Sequence, residues 1–134
     1  MGALFHVVND FERVGDHSQN ILEAAQLRHD DDVKFSMKAI AELDNLSGMV
    51  SEQLANAMRL FRKQINDPKE ISAVEQGEEE IDQMTEALRT HHVERLKNRK
   101  CSAQNGMIYL DMLTNLERIG DHAENIATSV DNGK

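Results

Sequence analysis

The chain has 134 residues, 15 basic against 24 acidic, a formal net charge of −9, and 4% aromatic residues with no Trp. That length supports one compact domain with its own core and not two. The acidic balance argues against a nucleic-acid partner and suits cations or a basic partner, and no apolar stretch approaches the roughly 20 residues that span a bilayer.

A first helix is expected over about 4–29. Leu4, Val7, Phe11, Val14, Ile21 and Ala25 recur at helical spacings that place one stripe on one face, interrupted by Ser18. Asp30-Asp31-Asp32 then offers an N-cap and first-turn negative charge to a second helix of about 35 residues. Its stripe includes Val33, Met37, Ile40, Leu43, Val50, Leu54, Met58, Phe61 and Ile65. Asn66-Asp67-Pro68 is the clearest break: Asp67 can cap, and Pro68 fits the first helical position, where a missing N–H loses nothing. A third helix carries Ile71, Val74, Ile81, Met84, Leu88 and Val93 and ends in the basic run Lys97-Asn98-Arg99-Lys100, which suits a helix C-terminus. Ser102 can cap a fourth helix with Met107, Leu110, Leu113, Leu116, Ile119, Ile126 and Val130. Short connections make sequential helices antiparallel, so the predicted fold is all-α: an up-and-down antiparallel bundle of four helices in one domain, 1–134.

Across this bundle one block occurs twice. Phe11-Glu12-Arg13-Val14-Gly15-Asp16-His17-Ser18-Gln19-Asn20-Ile21 is echoed by Leu116-Glu117-Arg118-Ile119-Gly120-Asp121-His122-Ala123-Glu124-Asn125-Ile126, with seven of the eleven positions identical. This is an internal duplication, and most of what it repeats is polar. Packing alone would have kept the apolar positions instead.

Glu12 and Asp16 are four residues apart and stack on one helix surface, as do Glu117 and Asp121. Two like charges at this spacing disfavour the helix unless something positive joins them, and a cation ligated by carboxylate oxygens does so. Arg13 and Arg118, three residues before the aspartates, offer the bland alternative of surface ion pairs. Duplication of the whole block favours a shared ligand role. Gly15 and Gly120 sit between the acids, where a mid-helix Gly costs about 1 kcal/mol relative to Ala. Close helix approach or room for a ligand would offset that.

On the third helix Glu78 and Asp82 repeat the spacing within the acidic run Glu75, Glu78, Glu79, Glu80 and Asp82. One Glu-Asp pair cannot fill six coordination positions, so a pair from a neighbouring helix is what a multi-ligand site needs. The expected metal ligands are therefore Glu12, Asp16, Glu117, Asp121, Glu78 and Asp82. His17 and His122 are read as partly exposed surface residues, with ligation at another site or subunit as the alternative, and His91 and His92 as surface residues. Cys101 is read as an incidental thiol in a reducing compartment, since a single cysteine forms no intramolecular disulfide.

Glu-Arg-Ile-Gly-Asp followed by Asn-Ile, occurring twice about a hundred residues apart, resembles the PhoU family of phosphate-uptake regulators. The His after the motif Asp is most similar to the PhoU-like cytoplasmic tails of bacterial sodium/phosphate cotransporters. The resemblance implies two three-helix repeats, each with an acidic pair on its third helix. Residues 30–131 then correspond to a complete second repeat and 4–29 to the last helix of a partial first one. A fragment or tail domain is the favoured reading, with the unpaired apolar face of helix one covered by homodimerisation. The resemblance also implies a cytoplasmic, non-enzymatic regulator that binds Fe, Zn, Mn or Mg. Its partners would be a phosphate transporter, or that transporter's membrane domain, and a sensor kinase. The residues bear on two other functions. A ferritin-like di-metal oxidase needs Glu-x-x-His, which is absent here. A structural or oligomerisation bundle without metal would leave the carboxylates in surface ion pairs.

Overall fold

The computed structural model describes residues 2–132, with side chains from 4 to 130. Four helices follow one another: α1 (Gly2–Asp30), α2 (Met37–Lys63), α3 (Pro68–Lys97) and α4 (Ala103–Asn132). Their cross-links fix the directions. Arg59 reaches Glu70 between α2 and α3, Arg89 reaches Glu117 between α3 and α4, and His122 of α4 reaches Asp10 of α1. Each sequential pair is thus antiparallel, as the short connections require.

α4 is the hub, because the other three helices all pack against it. One core cluster joins Leu46 and Val50 of α2, Ile81 and Leu88 of α3, and Tyr109, Leu113, Leu116 and Ile119 of α4. A second joins Ala57 and Leu60, Ile71 and Val74, and Ala123, Ile126 and Ala127. The backbone of α1 packs on α4 alone, although the Phe11 ring meets Phe61 of α2 edge to face at 5.7 Å.

Three expectations about local structure are tested by the termini. Asp67 caps α3 by accepting from the Lys69 N–H at 3.0 Å with Pro68 at the first helical position, and Ser102 accepts from the Asn105 N–H at 3.1 Å. The aspartate run does not cap α2. α1 runs through Asp30, residues 33–36 belong to no helix, and Ser36, in extended conformation, caps α2 by accepting from the Ala39 N–H at 3.1 Å. α2 therefore has 27 residues, and Val33 packs on the core from outside it.

Helices α1, α2 and α3 close with one device. Asp32, Gln64 and Arg99 take left-handed φ of 52°, 51° and 57°. Beyond them Val33, Ile65 and Lys100 donate back to the carbonyls of Arg28, Leu60 and Arg95 at 2.8–2.9 Å. This is the Schellman arrangement, which satisfies orphan carbonyls and ordinarily uses Gly. The left-handed conformation costs an L-residue about 1 kcal/mol. Arg99→Gly is expected to raise unfolding free energy by roughly that amount in urea denaturation, with an unchanged m-value.

Candidate metal centre

The duplicated block lies on α1 and α4, which pack on each other. Its His and Asn residues face the crossing. The His122 ring donates from Nδ1 to Asp10 Oδ1 at 2.9 Å, and Asn125 donates to the same oxygen at 3.3 Å. The same arrangement is repeated in reverse: His17 Nδ1 donates to Asn115 Oδ1 at 2.9 Å, and Asn20 donates there at 3.1 Å. The two imidazoles stack between these pairs, with centroids 5.7 Å apart. Asp10 and Asn115 are related by the same offset as the block itself, so α1 and α4 meet about a local pseudo-two-fold axis. His17 and His122 are only partly exposed and hold the two helices together, a role that reading them as surface residues did not include. His92 corrects that reading outright. It is 1% exposed, stacked on Tyr109 at 4.0 Å, with Arg95 donating to its Nδ1 at 3.0 Å.

The Glu, Gly and Asp of the second copy turn toward α3. Glu78, Asp82 and Asp121 each place a carboxylate oxygen within 4.8 Å of the others. Glu78 is 5% exposed, and neither of its oxygens has a hydrogen-bond donor among the described residues. Gly120 makes the room: a Cβ there would stand 2.9 Å from Glu78 Oε2 and 3.4 Å from Ile81. Burial first, then the facing carboxylates of Asp121 and Asp82, pushes the Glu78 carboxyl up to about 10. The acidic seam continues at Glu124, whose carboxyl is raised by burial and then by Glu75, Asp121 and Asp82.

The six expected ligands are thus divided. Glu78, Asp82 and Asp121 come together. Glu117 instead accepts from Arg89 at 3.1 Å, and Arg89 also donates to Thr114. Glu12 and Asp16 are exposed on α1 and lie outside the three-carboxylate group. A Cβ on Gly15 would meet nothing within 4 Å, so the first copy has no counterpart of the Glu78 contact. Asp10, Asn115 and Glu124 join the site without being among the residues expected from the sequence. The first two are hydrogen-bonding residues standing one position before each copy of the block, which was the available signal.

Chemically, three clustered carboxylates without a facing cation can hold a proton or a hard or borderline cation. Oxygen-only donors fit Mg, Mn and Fe, and Zn also accepts carboxylate oxygen. The fold and this seam define an acidic helical-bundle domain with a carboxylate cluster between two antiparallel helices. The chain belongs to the PhoU family, with residues 43–130 matching the PhoU domain. It is 31% identical over 122 residues to the phosphate-specific transport system accessory protein PhoU homolog 1 of Thermotoga maritima, covering 91% of this chain and 51% of that protein. It is 30% identical over 118 residues to the corresponding PhoU homolog of Streptococcus pneumoniae, covering 88% and 52%. The chain therefore spans about half the length of the curated relatives it matches. No solved structure gives a significant match.

Because the Glu78 carboxyl is raised from 4.5 to about 10, its contribution to stability in metal-free protein is fully present below pH 4.5 and is lost as pH rises toward 10. Glu78→Gln should remove that slope. At pH 8 the variant is expected to be more stable than the unmutated protein by on the order of 1–3 kcal/mol, and at pH 4 to match it. Urea denaturation at the two pH values in the presence of a chelator checks this.

Proposed function

We propose that this chain is a non-enzymatic regulatory domain of phosphate transport that binds a metal ion between α3 and α4. Glu78, Asp82 and Asp121 are the ligands, with Glu124 and Glu75 adding negative potential. The observation that carries the metal is the buried Glu78 carboxylate, whose oxygens face two acids and have no donor among the described residues. A buried like-charge cluster is unfavourable unless neutralised, and a divalent cation neutralises it without the proton. Membership of the PhoU family and the names of the relatives support the link to phosphate transport.

In this reading the acidic surface docks a phosphate transporter, or its membrane domain, and a sensor kinase at the cytoplasmic face of the membrane. No described helix is long and apolar enough to cross a membrane, so attachment would be through protein contact. The cation would fix the α3–α4 seam and so set the shape of the surface presented to the partner. The chain's own residues supply charge, burial and geometry. No nucleophile–base pair is part of the proposal.

Purified protein is expected to bind Mn, Fe, Zn or Mg, detected by calorimetry and elemental analysis. Asp121→Asn and Glu78→Gln should each weaken binding at least tenfold, while Glu12→Gln should leave it unchanged. The bound ion should raise the melting temperature, and the rise should vanish in Asp121→Asn. Absence of uptake by the unmutated protein would sink the metal and favour a purely structural bundle. The Arg89–Glu117 ion pair already illustrates how carboxylates act in such a bundle.

A further inference from the structure

The turn from α3 to α4 sets a thiol against a buried imidazole. Cys101 Sγ stands 3.7 Å from Nε2 of His92, whose ring is 1% exposed, while Cys101 itself is partly exposed to solvent. Arg95 fixes the tautomer. A guanidinium only donates, and its Nε donates to His92 Nδ1 at 3.0 Å, so the proton of the neutral ring sits on Nε2 and faces the sulfur. Burial, and then the charge on Arg95, holds the ring below the ordinary imidazole pKa, which keeps it neutral at neutral pH. The same tautomer disfavours a metal between the two residues, because a ligating Nε2 would need Nδ1 to carry the proton. Asn105, 6% exposed in the first turn of α4, completes the group. Its Nδ2 donates to the Lys34 carbonyl at 2.6 Å, which orients the amide and turns Oδ1 the other way. That oxygen lies on the His92 side, where it favours the ring's charged form, yet it is buried with no hydrogen-bond partner among the described residues. One N–H thus faces two acceptors, and a buried carbonyl left unpaired is unfavourable.

We propose that Cys101 is a modification site for peroxides, and that His92 and Asn105 hold its sulfenic acid. The sulfur attacks one oxygen of hydrogen peroxide, so the S–O bond forms as the O–O bond breaks. Sulfur gives up two electrons, the peroxide takes them, and the thiol proton leaves with the departing hydroxide as water. The added S–O–H group supplies what the thiol lacks. Its oxygen accepts from the His92 Nε2–H, and its proton is donated to Asn105 Oδ1, an oxygen with which the thiol makes no hydrogen bond. Both acceptors are then answered. Cys101 is the only cysteine of the chain, so no second thiol within it can condense with the sulfenic acid. Further change needs a thiol from outside or a second peroxide. The oxidised side chain ties the end of α3 to the first turn of α4, beside the Arg95 that also holds Glu42 of α2. The proposal uses none of the carboxylates of the metal centre and does not rest on that reading.

The test treats the whole 134-residue chain with hydrogen peroxide in the presence of a chelator. Dimedone traps any sulfenic acid, and peptide mass mapping separates oxidation of Cys101 from that of the seven methionines. Cys101 should gain one oxygen atom and remain trappable. The same thiol in the urea-unfolded chain, under the same peroxide, should pass on to sulfinic acid on the order of tenfold faster. His92→Phe keeps a ring against Tyr109 and removes the N–H, and Asn105→Ala removes the orphan oxygen. Each should shorten the life of the sulfenic acid several-fold in chains whose helix content is unchanged. Cys101→Ser should take up no dimedone. The oxidised chain should also melt above the reduced one, and Asn105→Ala should abolish that difference. A sulfenic acid as short-lived in the folded chain as in urea overturns the proposal, whatever the variants do. So does oxidation confined to the methionines, or a lifetime that neither His92→Phe nor Asn105→Ala alters in folded protein.

Discussion

The arrangement of the bundle depends on the burial of α4. Its apolar positions run from Ile108 to Val130 and occupy too wide an arc for one neighbouring helix to cover. The α2–α3 hairpin covers one side and α1 the other, which is why all three helices pack on α4. The polar residues are placed by the same constraint. Groups caught between α4 and its neighbours must find partners there, because burial without a hydrogen bond is unfavourable by several kcal/mol in apolar surroundings. Asp10 and Asn115 are the partners on the α1 side. On the α3 side, Arg89 answers Glu117, whereas Asp121 stands beside Glu78 and Asp82 with no ion-pair partner among the described residues.

Seen this way, the duplicated block has two jobs on two faces of one helix. His and Asn, one turn apart and joined to the Asp or Asn ahead of the block, bind α1 to α4 in both directions. Gly and Asp look toward the hairpin, where the glycine admits a carboxylate that any Cβ would displace. The copies share Glu, Gly, Asp, His and Asn but have unequal surroundings. α4 has a hairpin over its Gly-Asp face, whereas the same face of α1 is open, so Asp16 stays among solvated residues.

The helical fold was legible because long periodic stripes and the Asp67-Pro68 break report directly on burial and capping. What escaped was set by contacts that a single helix does not reveal. The Asp30-Asp31-Asp32 run looks like a cap, yet α1 continues through Asp30 and the chain needs residues 33–36 to cross to α2. The left-handed helix ends sit on Asp32, Gln64 and Arg99, which are not the residues that announce such ends. His92 resembled a surface residue because it adjoins His91; only the Tyr109 ring and Arg95 show why one of the two is inside. The carboxylate spacing pairs Glu78 with Asp82 and Glu117 with Asp121, and could not separate Asp121 from Glu117. That distinction depends on Arg89, 28 residues earlier in the chain and on another helix.

Glu78 is the residue that stability alone does not explain. A buried carboxylate facing two acids would be replaced without loss by an apolar side chain of similar volume, and such replacements are often stabilising. Gly120 compounds the penalty, since a mid-helix glycine costs about 1 kcal/mol and here serves to admit that carboxylate. Two unfavourable choices on separate helices converge on one point. Either alone could be an accident of packing. Together they bring three carboxylates to one point of the α3–α4 seam, which is why the proposed cation is assigned to Glu78, Asp82 and Asp121. The Arg89–Glu117 pair sharpens the point: the bundle places a guanidinium between α3 and α4 a few residues from the cluster, and among the described residues none pairs with the cluster itself.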